Sequence, residues 1–360
     1  MVPENAREPS NSQSPPAPRK RQQWVDAAKG LGIITVVYGH LYPPRLYQVH
    51  DWIYLFHMPL FFMLSGMFQK PSAIASGFWS FLKHKLSCRL GPYLMFSAIS
   101  LALWFGVSRR FLPPSELHSW SEALSSLVLG RPVINGPLWF FVCLFCAELF
   151  AYPFLKLPRA YGLLAAGLLV LALLNPWFPP EDHPGLFEAG VALVATPFLL
   201  VGYFLRDAIA ALATMSLLKR CSFAVIFLIP TTIISMHHLP ISMRMANYGN
   251  LPGFYAGALC GCAMVICLAG VLQHSRLLCS IGRASALIFA LHYLLRQYVT
   301  KGVKIVLFRP LQGVDQSAFF AAIYTIALIA VIMLLDKLFV LAKSYALRMT
   351  RDHEPSSSGS

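Results

Sequence analysis

Ten runs of nearly uninterrupted apolar sequence, most of them close to membrane length, constrain this chain more than any other feature. They lie near 24–43, 52–68, 92–108, 137–155, 161–178, 187–205, 221–236, 253–273, 281–299 and 317–341. A spanning helix takes about 20 residues, and it satisfies its own backbone hydrogen bonds in lipid. Charged residues are only 12% of the 360, about half the share found in soluble domains. A spanning barrel would need short strands of alternating polarity, and the runs do not alternate. The expectation is an all-α integral membrane protein of about ten transmembrane helices. The short joins predict one membrane domain, 24–341, between polar tails at 1–23 and 342–360.

The net charge of +14 invites a nucleic-acid partner, but its distribution argues for a membrane. With ten spans, most Lys and Arg fall on the side of the amino terminus, among them Arg19, Lys20, Arg21, Lys83, Lys85, Arg89, Lys219 and Arg220. That is the positive-inside bias of membrane proteins. Both termini are therefore expected in the cytoplasm, with membrane lipid and no nucleic acid as partner. Residues 1–23 are rich in Pro, Ser, Asn and Gln, which predicts disorder. They do not resemble a signal peptide, because the apolar run that follows carries Asp26 and Lys29 and lacks a small-residue cleavage site. Cys143 and Cys146 have CxxC spacing without a second pair, and Cys260, Cys262 and Cys267 read as small hydrophobes. No disulfide and no metal site is expected, and His183, His237 and His238 read as loop positions.

The first two runs, Trp24 to Lys70, carry the chemistry. Ionisable residues inside a span are expensive to desolvate and by default mark a path or a reaction site. Asp26, Lys29, His40 and His57 all fall here. Lys29 and His40 are eleven residues apart, so on a helix they share a face and stand about 16 Å apart along the axis. Asp26, one turn before Lys29, is placed to pair with it. His57 sits in FHMP, where Pro59 removes a backbone donor beside the imidazole, and Ser65 lies in a small polar patch beyond Phe61 and Phe62. In the ninth run Ser285 and His292 are seven apart and share a face, which sets His292 at a depth comparable to His40.

These residues also carry a resemblance. The stretch from Asp26 through Lys29 to Gly39 and His40, followed by FHMPLFFMLSG at 56–66, resembles the membrane-bound acyltransferase-3 family, which includes bacterial O-acetyltransferases of surface polysaccharides. The family's first span carries a basic residue, ten intervening positions and a histidine; Lys29 and His40 match it, with Lys where Arg is commoner. PLWFFVCLF at 137–145 and IGRASALIFALH at 281–292 are further matches, in the family's order. Relatives often carry two arginines three apart before a proline, facing the acyl-CoA. Here Arg89 and Pro92 fit, while Leu86 stands at the first arginine.

The resemblance implies acyl transfer, usually of acetyl, from cytoplasmic acetyl-CoA to a sugar hydroxyl at the outer face. It implies a bacterial cytoplasmic (inner) membrane and a lipid-linked or exported polysaccharide acceptor, as in xanthan-like pathways, with succinyl as an alternative acyl group. His40 and His57 are the catalytic candidates, and Asp26, Lys29, Ser65, Arg89 and His292 the substrate-binding ones. An imidazole takes a proton near neutral pH, so His40 reads as general base or as carrier of an acyl-imidazole, and the sequence leaves both open. The outer loop at 109–136, with Trp120 and Asn135, is a further candidate for the acceptor site. Two other classes remain: a proton-coupled multi-span transporter, since buried His, Lys and Asp also serve as relays, and a non-catalytic partner in polysaccharide export.

Overall fold

Leu, Ile, Val, Phe and Ala dominate the apolar runs, and in lipid such segments close their hydrogen bonds only as helices. The computed structural model describes residues 22–40, 47–110, 117–174, 186–237, 241–307 and 318–352. Among these residues there is no strand; one isolated bridge joins Ser242 to Asn247. The helices are α1 (Gln23–His40), α2 (Tyr47–Met67), α3 (Pro71–Ala75), α4 (Phe78–Lys85), α5 (Gly91–Gly106), α6 (Trp120–Val128), α7 (Trp139–Ala151) and α8 (Arg159–Leu173). They continue with α9 (Ala189–Phe204), α10 (Arg206–Thr214), α11 (Leu217–His237), α12 (Leu251–Leu272), α13 (Arg276–Arg283), α14 (Ser285–Leu307) and α15 (Ala318–Asp352). A π-helical turn, Leu86–Leu90, joins α4 to α5. Side-chain caps mark several starts: Ser119, Asn250 and Ser275 accept the backbone N–H of Glu122, Gly253 and Leu278.

Each of the ten apolar runs carries a helix, but the count of spans is coarser. Among the described residues four helices are by themselves long and apolar enough to cross a bilayer: Phe78–Gly106, Leu217–His237, Leu251–Leu272 and Ala321–Ala342. Two bent pairs, α9 with α10 at 70° and α13 with α14 at 76°, raise the number to six. The difference has a physical origin. α1 and α2 hold Asp26, Lys29, Asp51 and three histidines, which lower their hydropathy. α7 and α8 are 13 and 15 residues long, short of a full crossing. The carboxyl-terminal tail expected from 342 is continuous with α15 as far as Asp352. Residues 1–21 of the amino-terminal tail, together with His183 and His238, lie outside the described residues.

α12 is 61% buried over its most apolar stretch, whereas α11 is 11% and α15 22% buried. α12 is thus an inner helix. α11 and α15 turn Ile226, Ile229, Ile233, Ile326, Leu334 and Phe339 outward, an apolar surface suited to hydrocarbon. Two apolar clusters make the core, and α1 and α2 contribute to both. Ile33, Val36, Leu55 and Phe62 belong to one, Trp24, Ala27, Phe56 and Leu60 to the other. α2 crosses α9 at Gly66 and Gly202, where an added Cβ would strike the carbonyl of Leu199 or of Met63. Small residues let the two backbones approach, and this crossing locks the polar hairpin into the apolar bundle.

Candidate functional site

α1 and α2 run antiparallel. Lys29 Nζ lies 5.5 Å from the centre of the Phe68 ring at one end, and the His40 and Tyr54 rings are 6.3 Å apart at the other. Gly39 permits the second contact, since a side chain there would press on Tyr54. The two ends hold different chemistry.

At the Lys29 end is a cavity of about 370 Å³. Lys29, Lys70, His84, Lys85 and Arg89 give it basic walls, and Phe61, Phe140 and Phe289 also line it. Beside the cavity Glu148 of α7 is completely buried and pairs with Lys85 at 2.9 Å and with Arg89 at 2.8 Å. Arg89 is bidentate, its Nε donating to the other carboxylate oxygen at 3.1 Å. Ser65 Oγ and Gln69 Nε2 donate to Glu148 at 3.0 and 2.7 Å. Lys85 also donates to Gln69 Oε1 at 2.7 Å, and Arg89 to Ser65 Oγ at 3.1 Å. A buried carboxylate is tolerated when paired and hydrogen-bonded in this way. With Lys29, Lys70, Lys85 and Arg89 against one Glu148, the cavity keeps a surplus of positive charge.

Leu86 is 40% exposed and takes no part in the cavity wall. Lys85 lines the cavity with Arg89 instead. A π turn inserts one residue into an α-helix, so the four-residue spacing of Lys85 and Arg89 across Leu86–Leu90 brings both onto one face. The basic pair is present, displaced by one position.

At the other end the His40 and His292 rings lie 5.1 Å apart, and Tyr293 is 6.0 Å from His40. His292 Nδ1–H donates to the carbonyls of Phe289 at 2.8 Å and Ile288 at 3.1 Å. This fixes the tautomer and turns Nε2 inward, where it is buried without a partner among the described residues. His57 is oriented likewise, its Nδ1–H donating to the Ile53 carbonyl at 2.9 Å. Its ring lies 4.6 Å from Tyr54. Arg244 and Arg296 are within electrostatic range of His40.

Aromatic rings connect the ends. Phe140 contacts Phe61 at 6.2 Å and Phe289 at 5.3 Å, and Phe289 lies 6.0 Å from His292. α14 itself reaches both: Ser285 lines the cavity, and His292, two turns on, meets His40.

Of the residues expected from the sequence, Lys29, Ser65 and Arg89 line the cavity. His40, His57 and His292 gather at the far end. Asp26 is buried where α13 packs on α1, its carbonyl against Gly282, and is not in the cavity wall. Ser65 and His57 lie about two turns apart on α2, Ser65 in the cavity wall and His57, near the middle of the helix, beside Tyr54. Asn135 is fully buried and donates to Ser100 Oγ and to the Ala290 carbonyl at 3.1 and 2.9 Å, so it braces α14 rather than facing outward. Glu148, Gln69 and Lys85 were missed as a cluster. For Glu148 the signal was available: a lone carboxylate in an apolar run. All eight cysteines are free thiols, and among the described residues no three His, Cys, Asp or Glu side chains gather to hold a metal ion.

Helices long and apolar enough to cross a bilayer, several of them turning apolar side chains outward, mark a multi-pass membrane protein. Residues 22–336 match the Acyltransferase domain of the acyltransferase-3 family, and the chain belongs to that family of acyltransferases. It is also similar to the Nodulation protein NolL of Mesorhizobium japonicum, at 30% identity over 125 residues. That alignment covers 32% of this chain and spans about a third, 33%, of the relative. No solved structure matches the chain.

Proposed function

We propose that this protein is a membrane-bound O-acyltransferase that takes acetyl from acetyl-CoA on the cytoplasmic side and delivers it to a sugar hydroxyl of a cell-surface or exported polysaccharide. One observation carries the reading: α1 has a basic cavity at its Lys29 end and a pair of imidazoles at its His40 end, joined through Phe61, Phe140 and Phe289. CoA is polyanionic, and its phosphates suit Lys29, Lys85 and Arg89. The small acyl end then enters the aromatic passage, which excludes water from the thioester. His40 is the reacting imidazole. His292 and His57 hold its surroundings, Ser65 fixes Arg89, and Asp26 anchors the start of α1.

This assignment puts the amino-terminal side in the cytoplasm, in keeping with the positive-inside bias. It extends to ten spans, both termini inside, with the membrane domain at 24–341 in a bacterial inner membrane. Acetyl is preferred to succinyl because Phe61, Phe140 and Phe289 between the two ends are apolar, and a second carboxylate there would be desolvated against them. A lipid-linked or exported polysaccharide is the acceptor. Bent helix pairs like α9–α10 and α13–α14 also occur in transporters; family membership favours acyl transfer, and consumption of CoA ester separates the two.

The test is the acetyl content of the cell-surface polysaccharide, by proton NMR, in wild type, a deletion strain, and that strain complemented with wild type or His40→Ala. Acetyl signals should vanish on deletion, return with the wild-type gene, and stay absent with a His40→Ala protein that inserts normally. Unchanged acetylation in the deletion strain would remove the polysaccharide reading. Full activity of His40→Ala would remove the role of His40.

A further inference from the structure

Two guanidinium groups stand at the His40 end. Arg296 lies one turn beyond His292 on α14, so the two share a face. Arg244 comes from the segment before α12, and its guanidinium lies against Gly136, where an added Cβ would strike it. Both arginines are partly buried, and both are within electrostatic range of His40 and of Tyr54. Two separate elements thus bring a cation to the same pair of rings.

The segment that carries Arg244 is anchored. Ser242 and Asn247 exchange backbone hydrogen bonds at 2.7 and 3.0 Å, Ala246 turns the chain at a φ of 53°, and Asp51 Oδ1 accepts the Ile241 N–H at 3.3 Å. Gly136, on which the guanidinium rests, follows Asn135, the brace on α14. Arg244 and Arg296 are therefore held relative to each other by the packing that sets His292 against His40.

Other buried cations of the protein have carboxylate partners. Glu148 takes up Lys85 and Arg89, and buried Glu188 takes up Arg131 at 3.0 Å. Among the described residues neither Arg244 nor Arg296 forms an ion pair with a carboxylate. Glu188 is within electrostatic range of Arg244, and Asp51 of Tyr54, so Arg131, Arg244 and Arg296 face two carboxylates and positive charge is in surplus. On the proposed topology these arginines are on the outer side, which the positive-inside bias disfavours, so membrane orientation does not account for them. His292, whose Nε2 is buried without a partner among the described residues, is within electrostatic range of Arg296 as well. Desolvated cations are tolerated when paired, and the planar fork of a guanidinium matches a carboxylate or a phosphate.

We propose that Arg244 and Arg296 form an anion subsite for the acceptor: they bind a carboxylate or phosphate group of the incoming glycan and so present a neighbouring hydroxyl to His40. The proposal rests on the acyl-transfer reading above and deepens it, because it makes the acceptor an anionic glycan, either one that carries a uronic acid or one still joined to a lipid phosphate. Both arginines bind and orient; a guanidinium keeps its proton, so neither takes part in proton transfer.

The experiment uses sonicated membranes of the deletion strain, which supply the native acceptor, carrying full-length wild type, Arg244→Gln, Arg244→Lys, Arg296→Gln, Arg296→Lys or His40→Ala and given radiolabelled acetyl-CoA. At equal amounts of inserted protein, each glutamine variant is expected to lower label in the glycan about tenfold or more, with KM for acetyl-CoA unchanged. Each lysine variant should retain more label than its glutamine counterpart, because the charge stays. The labelled product of wild type should bind an anion exchanger. Retention lost after mild acid, which cleaves the sugar–phosphate bond, assigns the anion to a phosphate; retention kept assigns it to a carboxylate. A neutral labelled product, wild-type label in both glutamine variants, equal loss in the lysine and glutamine variants, or a rise in KM for acetyl-CoA would overturn the subsite. The charge of the wild-type product decides the matter even where a glutamine variant fails to insert. Absence of label with wild type itself would instead sink the acyl-transfer reading, so the two failures are distinct.

Discussion

Replacing Glu148 by Ala removes the carboxylate that holds the cavity's basic pair. Its side chain is fully buried, and its partners Lys85 and Arg89 are 7% and 28% exposed. The mutation leaves Lys85 with Gln69 Oε1 as its remaining partner and Arg89 with Ser65 Oγ. Removing one member of a buried ion pair costs about 3–5 kcal/mol, because the other charge stays desolvated. Arg89 is the more exposed and can turn toward water, so the lower end of that range is expected. Replacing the whole set by apolar residues is often neutral, so Lys85→Met, Arg89→Met and Glu148→Met together should regain most of the loss. Unfolding of a membrane protein is read as a rate; the assay is the half-life of the monodisperse peak on heating in detergent. Glu148→Ala should shorten it strongly, and the triple variant should recover it while remaining inactive. A half-life for Glu148→Ala equal to wild type would refute the claim that this ion cluster holds α2, α4, the π turn and α7 together.

Leu86→Arg should leave KM for acetyl-CoA within about twofold of wild type, since residue 86 points away from the cavity. Lys85→Ala should raise it about tenfold or more through loss of a charge-assisted contact; steady-state kinetics on solubilised protein distinguishes them. Gly202→Val should prevent accumulation of folded protein, because its side chain would strike the Met63 carbonyl; fluorescence-detected size exclusion measures this. Asn135→Ala should cost about 1–3 kcal/mol of stability with KM for acetyl-CoA unchanged, as expected for a brace on α14 rather than a substrate contact.

Much of the site's axis was legible in the sequence. Lys29 and His40 could be placed on one helix face because an α-helix repeats every 3.6 residues. Ser285 and His292 followed by the same periodicity. That His40 meets His292 required the tertiary packing of α14 on α1, which spacing alone cannot supply; the family resemblance pointed there. Glu148 was hidden inside a run otherwise read as a plain span, although the cost of a buried carboxylate was the cue. Lys85 was obscured by the π turn, a local departure from 3.6 residues per turn that leaves no mark in composition. Asp51 lies just before the run read as the second span, and its bond from the Ile241 N–H, 190 positions away, is a tertiary contact that spacing cannot supply. The run at 187–205 ends where α9 breaks, before Arg206 and Asp207, whereas the bend at Ala284 falls inside the run 281–299 and escaped.

The break at Ala284 has an electrostatic consequence. A continuous helix through this point would keep its peptide dipoles aligned past the cavity and present only side chains to it. Bending by 76° instead begins α14 afresh at Ser285, which with Ala286 lies in the cavity wall. A helix start carries the equivalent of about half a positive charge and offers backbone N–H groups to an anion. α14 is 23 residues long, so the field at its first turn comes from a full-length dipole. The polypeptide backbone thus adds to the attraction exerted by Lys29 and Arg89, in a form that no side-chain substitution removes and that does not titrate. The same helix ends its second turn at His292, so an anion drawn to its start is already aligned with the histidines.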